Sequence, residues 1–338
     1  MSRGGEERFV DWLRRRLGEP RRVGDDTAEL AARGRLVVTV DQQIEGTHFA
    51  TGLDPRLVGR RLVAVNLSDL AASGARPLWA LLALAVPPES DPRRLVEGVL
   101  AEARRSGLAL VGGDVAHAPL LSTSLTALGE KRPRDASLGR DRARPGHVLW
   151  LGGTVGESAL GCELLLRGAS IVGRTVSFSS KDKSFHLGEA LLGAGRRAVV
   201  RNVLPSPQLA LGRWLAGLGE RRAGACIDVS DGLAKDLRRL CAASGVGVEL
   251  DLRLVKRATS RGFEGLATAL GLDPVAVALA GGEDYVLLFT LPQTVAPPPA
   301  FRCVRIGRIV RGAAVVMLDR DGHRLHLPRL GWDHLDHD

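Results

Sequence analysis

Apolar positions in the first half of the chain follow two alternating rhythms. Residues 9–17 have helical spacing, with Gly18 and Pro20 to end it. Leu36-Val37-Val38-Thr39-Val40 is a β-rich run that delivers Asp41 at its C-terminal end. Asp54-Pro55 then opens a helical pattern through Leu57, Val58, Leu62, Val65 and Leu70, closed by Ser73-Gly74. The spacing predicts a strand over 78–86, stopped by Pro87-Pro88, a helix over 92–106, and strands over 108–111 and 120–128. Strands alternating with helices predict an α/β or α+β fold.

The turn-rich stretch from Arg132-Pro133-Arg134 to Arg144-Pro145-Gly146 is the expected domain boundary, dividing the chain into residues 1–140 and 141–338. Beyond it the pattern predicts a strand over 148–151 and a helix over 157–166. The Ser-, Gly- and Lys-rich stretch 168–183 reads as a mobile surface loop. Pro205-Ser206-Pro207 precedes a helix through Trp214. A strand over 225–229, a helix over 233–243 and strands over 246–250, 285–291 and 303–310 follow, with a hairpin turn at Arg320-Asp321-Gly322.

Composition narrows the function. Apolar residues make up 45% and charged residues 25%, which excludes a disordered chain. The net charge of +9 would suit a nucleic-acid binder. Against that, the arginines are dispersed rather than gathered in a block, and aromatic residues, at 4%, are too few for a base-stacking platform. Nucleic-acid binding is therefore not the expected function. The four cysteines, Cys162, Cys226, Cys241 and Cys303, have no zinc spacing and read as reduced core residues. No apolar segment follows Met1-Ser2-Arg3-Gly4-Gly5, and no run reaches membrane-spanning length. The expectation is a cytoplasmic protein without signal peptide or membrane span.

The candidate chemistry lies in six aspartates, each at the end of an apolar run or against glycine. They are Asp26, Asp41, Asp69, Asp114, Asp228 and Asp231. Brought together, they would repel one another and rise in pKa unless cations were present. Hard oxygen ligands without a Cys or His cluster favour Mg²⁺, commonly shared with substrate phosphates. Plainer readings exist for each. Gly24-Asp25-Asp26 suits a turn, and Ser230 or Asp231 suits the cap of a helix starting at Leu233. That helix N-terminus is also an anion site. Gly281-Gly282-Glu283-Asp284-Tyr285 could be a turn with an exposed acid pair, and His48 an ordinary loop histidine. No Walker or Rossmann glycine pattern appears, so phosphate would be held by metals and backbone.

The order of these motifs resembles the thiamine-monophosphate kinase family, within the superfamily of aminoimidazole-ribonucleotide synthetase. The resemblance is carried by Gly24-Asp25-Asp26, Asp41 with Glu45-Gly46-Thr47-His48-Phe49, and Asn66-Leu67-Ser68-Asp69-Leu70-Ala71-Ala72. Val111-Gly112-Gly113-Asp114, Ile227-Asp228-Val229-Ser230-Asp231-Gly232 and Gly281-Gly282-Glu283-Asp284-Tyr285 complete it. It implies a two-domain fold, with an N-terminal mixed sheet pairing in a homodimer and a C-terminal α/β sandwich. It also implies ATP-dependent phosphorylation of thiamine monophosphate.

By the same resemblance several Mg²⁺ ions would be held by Asp26, Thr39, Val40, Asp41, Asp69, Asp114, Asp228 and Asp231. Catalysis would run through Asp41, Asp69, Asp114 and Asp231. Gly113, Asp114, Arg140 and Ser230 would contact ATP, and His48, Glu283 and Trp332 thiamine monophosphate. The chain departs from the family pattern at Val40, Gln42, Gln43, Val115 and Gln208. A superfamily relative with another phosphorylated or carboxylated substrate, or a binder without turnover, is the competing reading.

Overall fold

The computed structural model describes residues 31–326 except 89, 173, 174, 179–186 and 320, together with 9, 12, 13 and 15–17. Asp26, Trp332 and the acidic C-terminal tail lie outside the described residues. Two compact units emerge. One comprises residues 1–70 and 75–133, the other 71–74 and 134–338.

The first unit is built on a four-stranded mixed sheet, order β1-β4-β2-β3, from β1 (Arg35–Ile44), β2 (Arg76–Val86), β3 (Ala109–His117) and β4 (Ser122–Lys131). β2 and β3 run parallel, and the other pairs are antiparallel. Helices α1 (Pro55–Ser73) and α2 (Pro92–Ser106) supply the rest of its core through Leu57, Val58, Leu62, Leu95, Val96 and Val99, all buried. Asp91 caps α2 by accepting the Arg93 amide, and Gly107, in the left-handed region, ends it. The two helices meet at a glycine on each side. A Cβ on Gly59 would collide with the Leu95 carbonyl, and one on Gly98 with the Arg56 carbonyl.

Two strands are longer than their apolar runs predict. β1 continues through Gln42 and Gln43 to Ile44, so Asp41 lies inside the strand rather than at its end. The extension is polar because Gln43 is buried against Arg61, itself only 1% exposed. β3 likewise runs through Gly112-Gly113. A side chain on Gly113 would strike the Leu82 carbonyl, so this glycine marks close strand approach, not a loop.

The second unit carries a seven-stranded sheet, order β13-β12-β9-β11-β5-β10-β8. Its strands are β5 (Val148–Gly152), β8 (Cys226–Asp228), β9 (Gly247–Asp251), β10 (Leu287–Leu291), β11 (Cys303–Val310), β12 (Val315–Leu318) and β13 (Arg324–His326). Among the described pairings of this sheet only β12 with β9 is parallel. Leu211, Leu215, Cys226, Leu287, Phe289 and Leu291 form one of its cores.

Helices α3 (Glu157–Leu166), α4 (Glu189–Val203), α5 (Leu209–Gly217) and α6 (Leu233–Ser244) accompany the sheet, with the shorter α7 (Leu252–Arg257), α8 (Phe263–Ala269) and α9 (Pro274–Ala280). Part of the stretch expected as a loop is ordered, since β6 (Ser170–Val172) and β7 (Thr175–Ser177) pair as a hairpin. Among the described residues no single helix is long and apolar enough to cross a membrane.

The α1–α2 crossing is directly testable. Gly98→Ala forces a methyl onto the Arg56 carbonyl and is expected to cost about 1–3 kcal/mol, the range for overpacking a tight contact. A lowered urea midpoint reads this out. An unchanged midpoint would mean the helices part without cost.

Candidate active site

In the first unit, successive β1 residues point to opposite faces, and the set Thr39, Asp41 and Gln43 meets α1. Thr39 Oγ1 donates to Asp69 Oδ2 at 2.5 Å. Asn66 Oδ1 accepts the Asp41 amide at 3.2 Å, while Asn66 Nδ2 donates to the Leu62 carbonyl at 2.9 Å and so fixes its orientation. Arg61 Nε donates to Gln43 Oε1 at 2.9 Å. Strand and helix are thus held in register by three polar contacts, with Asp41 and Asp69 among them.

Burial pushes the Asp41 carboxyl up to about 7, and the charge of Asp69 adds to the effect. A pair of oxygen ligands in that condition, with a threonine hydroxyl beside it, fits a hard divalent cation.

Val40 lies on the other face, 62% exposed, and since its isopropyl group has no ligand atom only its carbonyl could serve as one. Asp114 is exposed and aligns across β2 with Ala83 and Ser124, in the row of Gln42 rather than of Asp41. By alternation its carboxylate lies on the sheet face opposite Asp41. Gly113 is exposed beside it. His48 sits in the turn after β1, where its Nδ1 accepts the Ile44 amide at 3.1 Å.

In the second unit two turns are laced together. Glu283 N donates to the Ser230 carbonyl at 2.6 Å and Tyr285 N to the Val229 carbonyl at 2.8 Å, while Val229 N donates back to Val286. A Cβ on Gly282 would press on the Ser230 carbonyl, which is why a glycine stands at this close approach. Glu283 and Tyr285 occupy the left-handed region, at φ 56° and 50°. Non-glycine residues rarely adopt it, and such residues cluster at functional sites.

Asp284, between them, is buried rather than exposed. Its carboxylate accepts the Gly156 and Ser158 amides at 2.6 and 3.2 Å, at the start of α3. Burial pushes it up to about 7 against the pull of those amides and of Arg201.

Asp228 is buried in β8. Asp231 is half-buried and bridged by Arg239 at 2.6 Å and Lys235 at 3.6 Å. Asp236, to which sequence reasoning gives no role, accepts the Ser230 and Asp231 amides at 3.1 and 3.0 Å. Burial and the charge of Asp231 raise it to about 6. An acid in the first turn of α6 is the signal that points to it. Arg140 is exposed, and its carbonyl accepts Ser244 Oγ at 2.7 Å. Gln208 bonds the Gly152 carbonyl and, at 2.8 Å, the Leu287 amide, joining the ends of β5 and β10. This departure from the family pattern has a structural use.

Four similarities to known proteins bear on these motifs. Residues 24–130 match the family described as AIR synthase related protein, N-terminal domain. The chain is 30% identical to thiamine-monophosphate kinase of Aquifex aeolicus over 334 residues, 98% of each protein. It is 34% identical to that of Mycobacterium tuberculosis H37Rv over 325 residues, 93% of this chain and 88% of the relative. Among solved structures it is similar to AaThiL complexed with AMPPCP and TMP, with a TM-score of 0.75, 28% identity and 99% of both chains covered.

The Asp41–Asp69 pair makes a signed prediction. Folded Asp41 titrates near 7 against 3.8 for the free group, so the folded state holds more protons in between and stability falls as pH rises through that window. In metal-free protein Asp41→Asn removes this loss. It is expected to gain on the order of 1–3 kcal/mol over wild type at about pH 8 and nothing near pH 4. Calorimetry in chelator across that range checks it, and a gap that does not widen with pH would count against the pair.

Proposed function

The chain belongs to the thiamine-monophosphate kinase family, and from that premise we propose how its residues divide the work. The enzyme is a phosphotransferase: ATP gives its terminal phosphoryl group to thiamine monophosphate, leaving thiamine diphosphate and ADP. The observation that carries this is the match along nearly the whole length of a family member.

The acceptor is a phosphate oxyanion and already a nucleophile, so no side chain has to remove a proton from it. Transfer is direct and in line, with no phosphoenzyme. The barrier is the approach of two polyanions. Asp41 and Asp69, with the Thr39 hydroxyl, would be Mg²⁺ ligands of the first unit, joined by Asp26 and the Val40 carbonyl, while Asp114, on the opposite sheet face, would meet a separate Mg²⁺ with ATP. Asp228 and Asp231 are those of the second. When bound, Mg²⁺ offsets the phosphate charge and stabilises the transferring group.

Asp231 would exchange its bridges to Arg239 and Lys235 for that role. Gly113, Asp114, Arg140 and Ser230 hold ATP, with Arg140 matching phosphate bidentately. His48, together with Glu283 and Trp332, takes thiamine monophosphate. A carboxylate at 283 suits the cationic ring of that substrate.

The protein works as a homodimer in the cytoplasm. The contact is assigned to the outer face of the first sheet, where Leu36, Val38, Val40 and Leu81 are between 41% and 62% exposed. Apolar side chains concentrated on a strand at the sheet edge call for a cover.

Purified protein with ATP, Mg²⁺ and thiamine monophosphate is expected to yield thiamine diphosphate and ADP in equal amounts. Asp69→Ala should lower turnover by about a hundredfold or more, as loss of a metal ligand does. ADP without thiamine diphosphate would contradict the proposed acceptor. Val38→Asp with Val40→Asp should convert a dimer to a monomer in light scattering, and a variant that stays dimeric would move the interface elsewhere.

A further inference from the structure

We propose that Asn202 is a positioning residue for Glu283, fixing where that carboxylate meets the substrate. This rests on the assignment of Glu283 to thiamine monophosphate made above.

Asn202 lies near the C-terminal end of α4 and is 7% exposed. Its Nδ2 donates to Glu283 Oε2 at 3.0 Å and to Ser158 Oγ at 3.2 Å. Both amide protons are thereby engaged, one on the fixed start of α3 and one on the carboxylate. The neighbouring Arg201 donates through Nη2 to the Asp284 carbonyl at 3.0 Å. Two consecutive residues of α4 therefore hold two consecutive residues of the turn, one by its side chain and one by its backbone.

The turn needs such support. Its left-handed backbone is held from one side by the Ser230 carbonyl and from the other by the Asp284 carboxylate on the Gly156 and Ser158 amides. Glu283 itself has a long side chain with several rotatable bonds, which backbone geometry alone does not aim.

The chemistry of the partner matters as much as its place. A lysine or arginine in the position of Asn202 would orient the Glu283 carboxylate and cancel its charge together. A neutral amide orients it without neutralising it. Arg201, the adjacent cation on α4, directs its Nη2 to a carbonyl. The Asn202 hydrogen bond thus aims the carboxylate without itself cancelling its charge, as suits a site selecting a cation.

Steady-state kinetics of the full-length protein, varying thiamine monophosphate at saturating ATP, test this. Asn202→Ala should raise KM for thiamine monophosphate about tenfold, with kcat and KM for ATP near wild type. Asn202→Asp, which sets a carboxylate against Glu283, should be worse. In an E283Q background, Asn202→Asp should cost nothing further, because the amide introduced by E283Q can donate to the carboxylate introduced by N202D. Strong non-additivity in this cycle is the signature a merely structural role would not produce. Should Asn202→Ala fail to fold, the cycle of N202D with E283Q carries the same test.

An E283Q enzyme with wild-type KM overturns the assignment of Glu283 itself. An impaired E283Q enzyme beside unimpaired Asn202 variants, or additive effects in the cycle, overturns the positioning role and leaves that assignment standing.

Discussion

A carboxylate taken out of water must be met by donors or by a cation, and both compact units are organised around that demand. Asp69 receives the Thr39 hydroxyl, Asp236 the Ser230 and Asp231 amides with Arg239, and Asp284 the start of α3. Apart from Arg239, which shares a helix with Asp236, these donors come from outside the acid's own element, so satisfying the acid also fixes one segment against another. Asp41 differs: its backbone is held by Asn66, while its carboxyl rises beside Asp69. The same demand there is open to a metal, and the proposed chemistry follows from it.

Much of this was legible in the chain. α2, α3 and β11 fall where spacing and turn residues predict, because their apolar periods are clean and their ends are marked by Pro or Gly. The glycine-acid motifs were visible as clusters, and the family resemblance gave them an order. Tertiary contacts decided the rest. β1 extends through the glutamines because a buried arginine donates to Gln43 and Ser122 meets Gln42, and β3 runs on through Gly113 because the Leu82 carbonyl leaves no room for a side chain there. α4 went unread between Lys183 and Pro205. Gly193 and Gly195, with adjacent arginines, weaken its helical signature. The residues that aim Glu283 sit on that helix, beyond the reach of any local motif.

Reading Asp284 as one of an exposed acid pair shows the same limit from another side. Two glycines followed by two acids describe a solvated turn equally well. Only the approach of Gly156 and Ser158, more than a hundred residues earlier in the chain, separates the buried acid from the one beside it.

The alternation of β1 carries a last consequence. Thr39 and Asp41 face the helix, while Val38 and Val40 face outward, one residue apart. A substitution at any of these positions touches one face. An insertion or deletion of a single residue upstream would exchange the two, turning valines toward the helix and carboxylates toward the surface. Substitution in this segment therefore acts on one face at a time, whereas its reading frame of side chains allows no gap.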